Sequence, residues 1–172
     1  PRLGHVARTF DDENGHTDAV AALCVCAGRV VSGSWDSMVK VWHPETGKCE
    51  NTLEDPGGTV RGLADVAGRL VSASEDGTIR VWDPARSWSH VRTLHDHSDI
   101  VNAIVPLVDW PPTRDDDEEH DAAVDAPPDA IEAQTRLAAR VASNRATKFA
   151  SGGDDGAINI WSADDLRCLL TL

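Results

Sequence analysis

Residues 69–83 read RLVSASEDGTIRVWD, and the chain says nearly the same thing twice more: RVVSGSWDSMVKVWH at 29–43 and KFASGGDDGAINIWS at 148–162. In each stretch apolar and small or polar residues alternate, an Asp-Ser or Asp-Gly pair interrupts them, and a tryptophan stands near the end. Period two broken by a turn pair predicts two antiparallel strands joined by a tight turn.

Working outward, Trp42 and Trp82 are 40 residues apart, and the same offset lays Val20 on Val60, Gly28 on Gly68, Ser32 on Ser72 and Asp36 on Asp76. Several positions in one register make a true internal repeat. A third copy has Val101, Ser151, Asp155 and Trp161, but Trp161 follows Trp82 by 79 residues, so about 39 have been added, nearly all between Val101 and Ser151. The runs AVAALCV, TVRGLADV and IVNAIVPLV supply a strand before each hairpin; KCENTL, SHVRTL and RCLLTL supply one after it. Each repeat is then a four-stranded antiparallel unit of propeller-blade size. The expected fold class is all-β, a partial β-propeller. Residues 1–14 are an outer strand and linker from a preceding blade, 15–54 blade one, 55–94 blade two, and 95–172 blade three with an insertion at about 109–147.

The pattern SxxxDGTIxVWD, with a His four residues before the first-strand Val, resembles the WD40 repeat, and the resemblance covers all but roughly residues 109–147. It implies a buried His, Asp, Ser and Trp network in each blade: His16, Asp36, Ser32 and Trp42 in the first, and His97, Asp155, Ser151 and Trp161 in the third. Blade two keeps Asp76, Ser72 and Trp82 but has Pro56 at the His position. Proline offers neither donor nor acceptor there, so that network is expected to be incomplete. An Asp buried beside a sheet needs donors, which His, backbone N–H groups and an indole can supply. These residues are therefore read as structural. A catalytic triad of Ser32, His16 and Asp36 is disfavoured, since the set recurs per blade against a Trp and no G-x-S-x-G turn is present.

Composition narrows the partners. The formal charge is −13, but residues 115–132 hold nine carboxylates and no Lys or Arg, leaving 20 acidic against 16 basic residues elsewhere. No basic stripe marks a nucleic-acid footprint. No apolar run approaches a membrane span, and PRLGHVARTF lacks a signal-peptide layout. The expectation is an intracellular chain, cytoplasmic or nuclear, with no nucleic-acid or membrane partner and no cofactor. Cys24, Cys26, Cys49 and Cys168 lack zinc-knuckle spacing and read as buried free thiols rather than metal ligands.

Propellers close with four to eight blades and this chain supplies three. The leading VARTF matches VRTL before the third repeat, so the chain is expected to be part of a longer propeller whose other blades lie in the full-length protein. A homodimer completing a six-bladed ring is the alternative. The insert carries DDDEEHD at 115–121, expected to be a solvated tether rather than a Ca²⁺ site. DAIEAQTRLAARVAS at 129–143 suits a short helix, and Trp110 would anchor the segment to the blade edge.

Fold alone does not choose a partner. In WD40 proteins the residue before the turn Asp and those after the first-strand Val project to the top face. By resemblance the partner-binding set here is Trp35, Arg61, Glu75, Asn102 and Asp154, with Ala21 at the remaining position. An aromatic on a turn is costly unless covered, and this mixed face suits a protein or peptide with some basic character. The chain is thus expected to be a non-enzymatic interaction scaffold. VVSGSWDSMVKVWHPETGKCENTL with the short link AGR is also similar to F-box/WD40 substrate receptors of ubiquitin ligases, although no F-box is present and the phosphate-reading arginines are mostly absent. An enzyme domain, for which His95, His97 and Asp99 come nearest, and a non-functional fragment complete the alternatives.

Overall fold

The structure, a computed structural model, describes residue 10 and residues 13–55, 57–108 and 147–172. The leading strand expected in residues 1–14 therefore falls largely outside the described residues, as do Pro56, Trp110 and the insert with its acidic run and helix. The rest forms three four-stranded antiparallel sheets. Sheet one holds β1 (Val20–Cys26), β2 (Arg29–Ser34), β3 (Met38–Trp42) and β4 (Cys49–Glu54) in sequential order. Sheet two holds β5 (Val60–Val66), β6 (Arg69–Ser74), β7 (Ile79–Asp83) and β8 (Ser89–Leu94); sheet three holds β9 (Val101–Leu107), β10 (Lys148–Gly153), β11 (Ile158–Ser162) and β12 (Cys168–Thr171).

Local chemistry sets the hairpins. Ala27-Gly28 and Ala67-Gly68 have φ of +50°, +71°, +54° and +78°, so each first hairpin turns through two left-handed residues, a twist that matches its strands. The second hairpin needs one left-handed residue, at Ser37, Gly77 and Gly156 in turn. In all three sheets the ladder between the first two strands slips once: between Val20 and Ala22, between Val60 and Gly62, and opposite Gly152 and Gly153. The slip leaves Ala21, Arg61 and Asn102 outside the register, as a β-bulge does.

The apolar cores lie between sheets. One joins Cys26, Val31, Val39, Val41 and Leu53 of sheet one to Val60, Leu63, Leu70 and Trp82 of sheet two. The other joins Val71, Ala73, Ile79, Val81 and Leu94 of sheet two to Val101, Ile104, Phe149 and Trp161 of sheet three. Alternation makes this arrangement work: odd and even positions of the middle strands face opposite neighbours, so both faces of sheet two are buried. Two plugs not anticipated from sequence, Trp88 and Leu166, enter these cores from the turns before β8 and β12 with φ of +60° and +55°. Arg69 and Arg92 tie sheets two and three at the lower edge, donating to the backbone carbonyls of Ala163 (3.3 Å) and Asp165 (3.1 Å). The structure is a partial β-propeller.

Candidate functional site

Two groups of side chains carry chemistry: a polar network inside each sheet, and a row along the edge where the second hairpins turn. In sheet one the indole N–H of Trp42 donates to Ser32 Oγ (2.7 Å), Ser32 lies 2.7 Å from His16 Nε2, and His16 Nδ1 lies 2.9 Å from Asp36 Oδ2. A carboxylate only accepts, so Nδ1 carries a proton; Nε2 of the neutral ring then accepts from the serine hydroxyl. Sheet three repeats the arrangement, with Trp161 to Ser151 at 2.8 Å, Ser151 to His97 Nε2 at 2.7 Å and His97 Nδ1 to Asp155 at 2.8 Å. The backbone N–H groups of Thr17 and Met38 also donate to Asp36, and those of Ser98 and Ala157 to Asp155. Burial of Asp36 opposes its ionisation, but the Thr17 N–H and His16 outweigh that and hold its carboxyl below the usual range. The Ala157 N–H, with His97 and Ser98, does the same for Asp155.

The gap expected in sheet two is corrected by the structure. Asp55, fully buried, accepts from the Ser72 hydroxyl at 3.0 Å, while Ser72 Oγ accepts from the Trp82 indole at 3.1 Å. Arg80 then spans the two acids, donating to Asp55 and, at 2.7 Å, to Asp76 Oδ2. Where a His links Ser to one carboxylate in the flanking sheets, here Asp55 takes the Ser hydroxyl and Arg80 joins the two carboxylates. A buried Asp left alone would be costly, and Arg80 compensates it, one terminal nitrogen donating to Asp55 and the other to Asp76. The sign of this exchange was in the sequence: Arg80 stands where the other sheets have Lys40 and Asn159, and Asp55 stands next to the missing His.

A catalytic role for the Ser–His–Asp run does not suit this geometry. Ser32 and Ser151 are buried, and each hydroxyl oxygen is covered by an indole donor rather than open to a substrate. His97 is engaged by Ser151 and Asp155 within the sheet, and Asp99 accepts from the Ile100 N–H at 2.8 Å, while His95 is exposed. Among the described residues no group of three or more His, Cys, Asp or Glu is placed to hold a metal ion. Cys24 and Cys26 pack on the same core; burial, with Asp65 adding, pushes the Cys24 thiol up to about 12 and raises that of Cys26 as well. Both are unreactive as nucleophiles near neutrality.

The edge row is built by one repeated contact. The backbone N–H of Trp35 donates to Ala19 O (2.9 Å), that of Glu75 to Thr59 O (3.0 Å) and that of Asp154 to Ile100 O (2.9 Å). Each bond closes the chain over a bulge and sets the residue before the turn Asp beside the bulge residue. Arg61 Nη2 lies 3.7 Å from Glu75 Oε1, and Asn102 Nδ2 donates to Asp154 Oδ1 at 2.5 Å. Sheet one has no such polar pair: Ala21 is small, and Trp35 stands 54% exposed. Asp18 and Asp99, each exposed on this edge, cap the following N–H groups of Ala19 and Ile100. The row is acidic, with an aromatic at one end. Elsewhere a groove of about 690 Å³ between β8 and β12 is lined by Arg92, His95, Asp96 and Arg167, but Arg92 is tied to the Asp165 carbonyl and Arg167 lies 3.6 Å from the Asp165 carboxylate.

No helix among the described residues is long and apolar enough to cross a membrane. A family model described as WD domain, G-beta repeat matches residues 4–43 and 47–83. The second match begins before β4 of sheet one and ends with β7 of sheet two, so sequence unit and sheet are out of phase by one strand. Sheet three lies beyond both matched segments, yet it carries the same network and the same edge contact.

Proposed function

We propose, from the premise that this chain carries WD40 repeats, that it is a non-catalytic platform whose edge row of Trp35, Arg61, Glu75, Asn102 and Asp154 binds a protein or peptide. WD40 repeats generally serve protein–protein contact. What supports this reading is the backbone bond repeated at Trp35, Glu75 and Asp154, which fixes the backbone at each of these three side chains in the same way. Rigid display lowers the ordering cost of binding. An exposed indole is the side chain most often found at the energetic centre of an interface.

Chemistry narrows the partner. Glu75, Asp154, Asp18 and Asp99 outnumber Arg61 on this edge, and Glu75 already faces Arg61. The complementary ligand is a peptide with a Lys or Arg beside an apolar residue that can lie against Trp35. A phosphorylated partner would meet repulsion here, so the ubiquitin-ligase receptor reading has no feature of this edge in its favour. The test is a fluorescence-polarisation screen of basic, neutral and acidic peptides. Basic peptides should bind, affinity should fall with salt, and Trp35→Ala should weaken binding at least tenfold without moving the melting midpoint. Acidic peptides binding best, or Trp35→Ala leaving affinity unchanged, would refute the assignment.

A further inference from the structure

The bulge residue and the residue before the turn Asp stand side by side in each sheet, and the three pairs differ in one respect. In sheet two the bulge supplies a guanidinium, with Arg61 Nη2 3.7 Å from Glu75 Oε1. In sheet three it supplies an amide, Asn102 Nδ2 donating to Asp154 Oδ1 at 2.5 Å. A planar group bearing N–H donors thus rises from both bulges and faces the side chain beside it. Sheet one has Ala21 and Trp35 in these places. A methyl group cannot reach across, and the indole is 54% exposed although the Trp35 N–H is fixed to Ala19 O at 2.9 Å like its counterparts.

The turn that carries Trp35 is tied to sheet two. The Asp55 N–H donates to Ser37 O at 3.0 Å, and Gly33, on the same strand, lies so close to Val60 that a Cβ there would stand 2.5 Å from Val60 Cγ1. An exposed indole on a fixed backbone offers a flat, electron-rich face to a cation. Guanidinium suits that face better than ammonium, because it is planar, stacks on aromatic rings and is more weakly hydrated. The acids further along the row, Glu75 and Asp154, favour a cation over an anion at this edge.

Resting on the reading of this edge as a partner-binding row, we infer that Trp35 and Ala21 form an arginine subsite. An arginine side chain of the partner lies over Ala21 with its guanidinium stacked on the indole. It takes the place that Arg61 fills from within the chain in sheet two.

Fluorescence polarisation of two labelled peptides of equal length, one alternating Arg and Gly and the other Lys and Gly, tests this on the whole chain. The readout is the ratio of their affinities, since a charge added to the protein moves both alike. The Arg peptide should bind about fivefold tighter than the Lys peptide, and heteronuclear NMR should show the Trp35 indole N–H and the Ala21 amide among the shifted resonances. Ala21→Arg, which supplies the guanidinium from within the chain as Arg61 does, and Trp35→Leu should each abolish the preference, with far-UV circular dichroism as the folding control. Equal affinities, a preference that survives either substitution, or shifts confined to other residues would overturn the subsite and leave the platform reading standing. Failure of both basic peptides to bind would overturn the two together.

Discussion

Proline at position 56 takes away the imidazole that joins Ser to Asp in the flanking sheets, and the residues around it change in concert. GHTD at 15–18 and DHSD at 96–99 correspond to DPGG at 55–58, while Lys40 and Asn159 correspond to Arg80. Gly57 belongs to the same change: the Asp76 carboxylate occupies the place a Cβ there would take, with Oδ2 only 1.7 Å from it. Removing Asp55 leaves Arg80 with one acid and Ser72 without its acceptor, so Asp55→Ala should cost about 3–5 kcal/mol. Urea denaturation should also show Asp55→Asn/Arg80→Met milder than Asp55→Ala, since it removes both charges together. Acid sensitivity follows from the same trio. Burial opposes ionisation of Asp76, but Arg80 and the Thr78 hydroxyl and N–H hold its carboxyl at about 2. Its folded value lies below the unfolded one, so its stabilisation is present above about pH 4 and is lost as pH falls toward 2. Burial raises Asp55, which Arg80 only partly offsets; its contribution has the opposite sign and weakens as pH rises. Denaturation midpoints between pH 2 and 7 should therefore fall less steeply with acid in Asp76→Asn than in the wild-type chain. The flanking networks could be read from the sequence because each member recurs at a fixed offset, whereas the exchange in sheet two uses Asp55 and Arg80, positions at which the three repeats do not all carry the same residue.

Strands were the most legible elements, because small and β-branched residues alternate around turn pairs and each turn needs a residue tolerant of positive φ. What alternation cannot report is which sheet face meets which neighbour, or that Trp88 and Leu166 leave their turns to enter the cores. Nor does it reveal the slip after Val20, Val60 and Val101, since a bulge inserts a residue without altering the apolar count. Where sheets one and two meet, the approach is set by the absence of a side chain at Gly33. Gly33→Ala would force Val60 aside and should cost about 1–3 kcal/mol, read as a lower thermal midpoint with unchanged far-UV circular dichroism.

Across the whole molecule, stability runs along a line of neighbours rather than around one centre, as in other repeat architectures. Sheet two contributes to both cores and the outer sheets to one each. Hydrogen exchange should therefore show the amides of β6 and β7 protected longest and those of β1 and β12 opening first; equal protection in all three sheets would contradict this. The edge row shows how such a line of units acquires an address. Because Ala21, Arg61 and Asn102 sit on bulges, outside the ladder, a change of side chain there leaves pairing and alternation untouched. Substitution at these three positions therefore alters the chemistry of the edge proposed for binding while leaving the strand register of the scaffold intact.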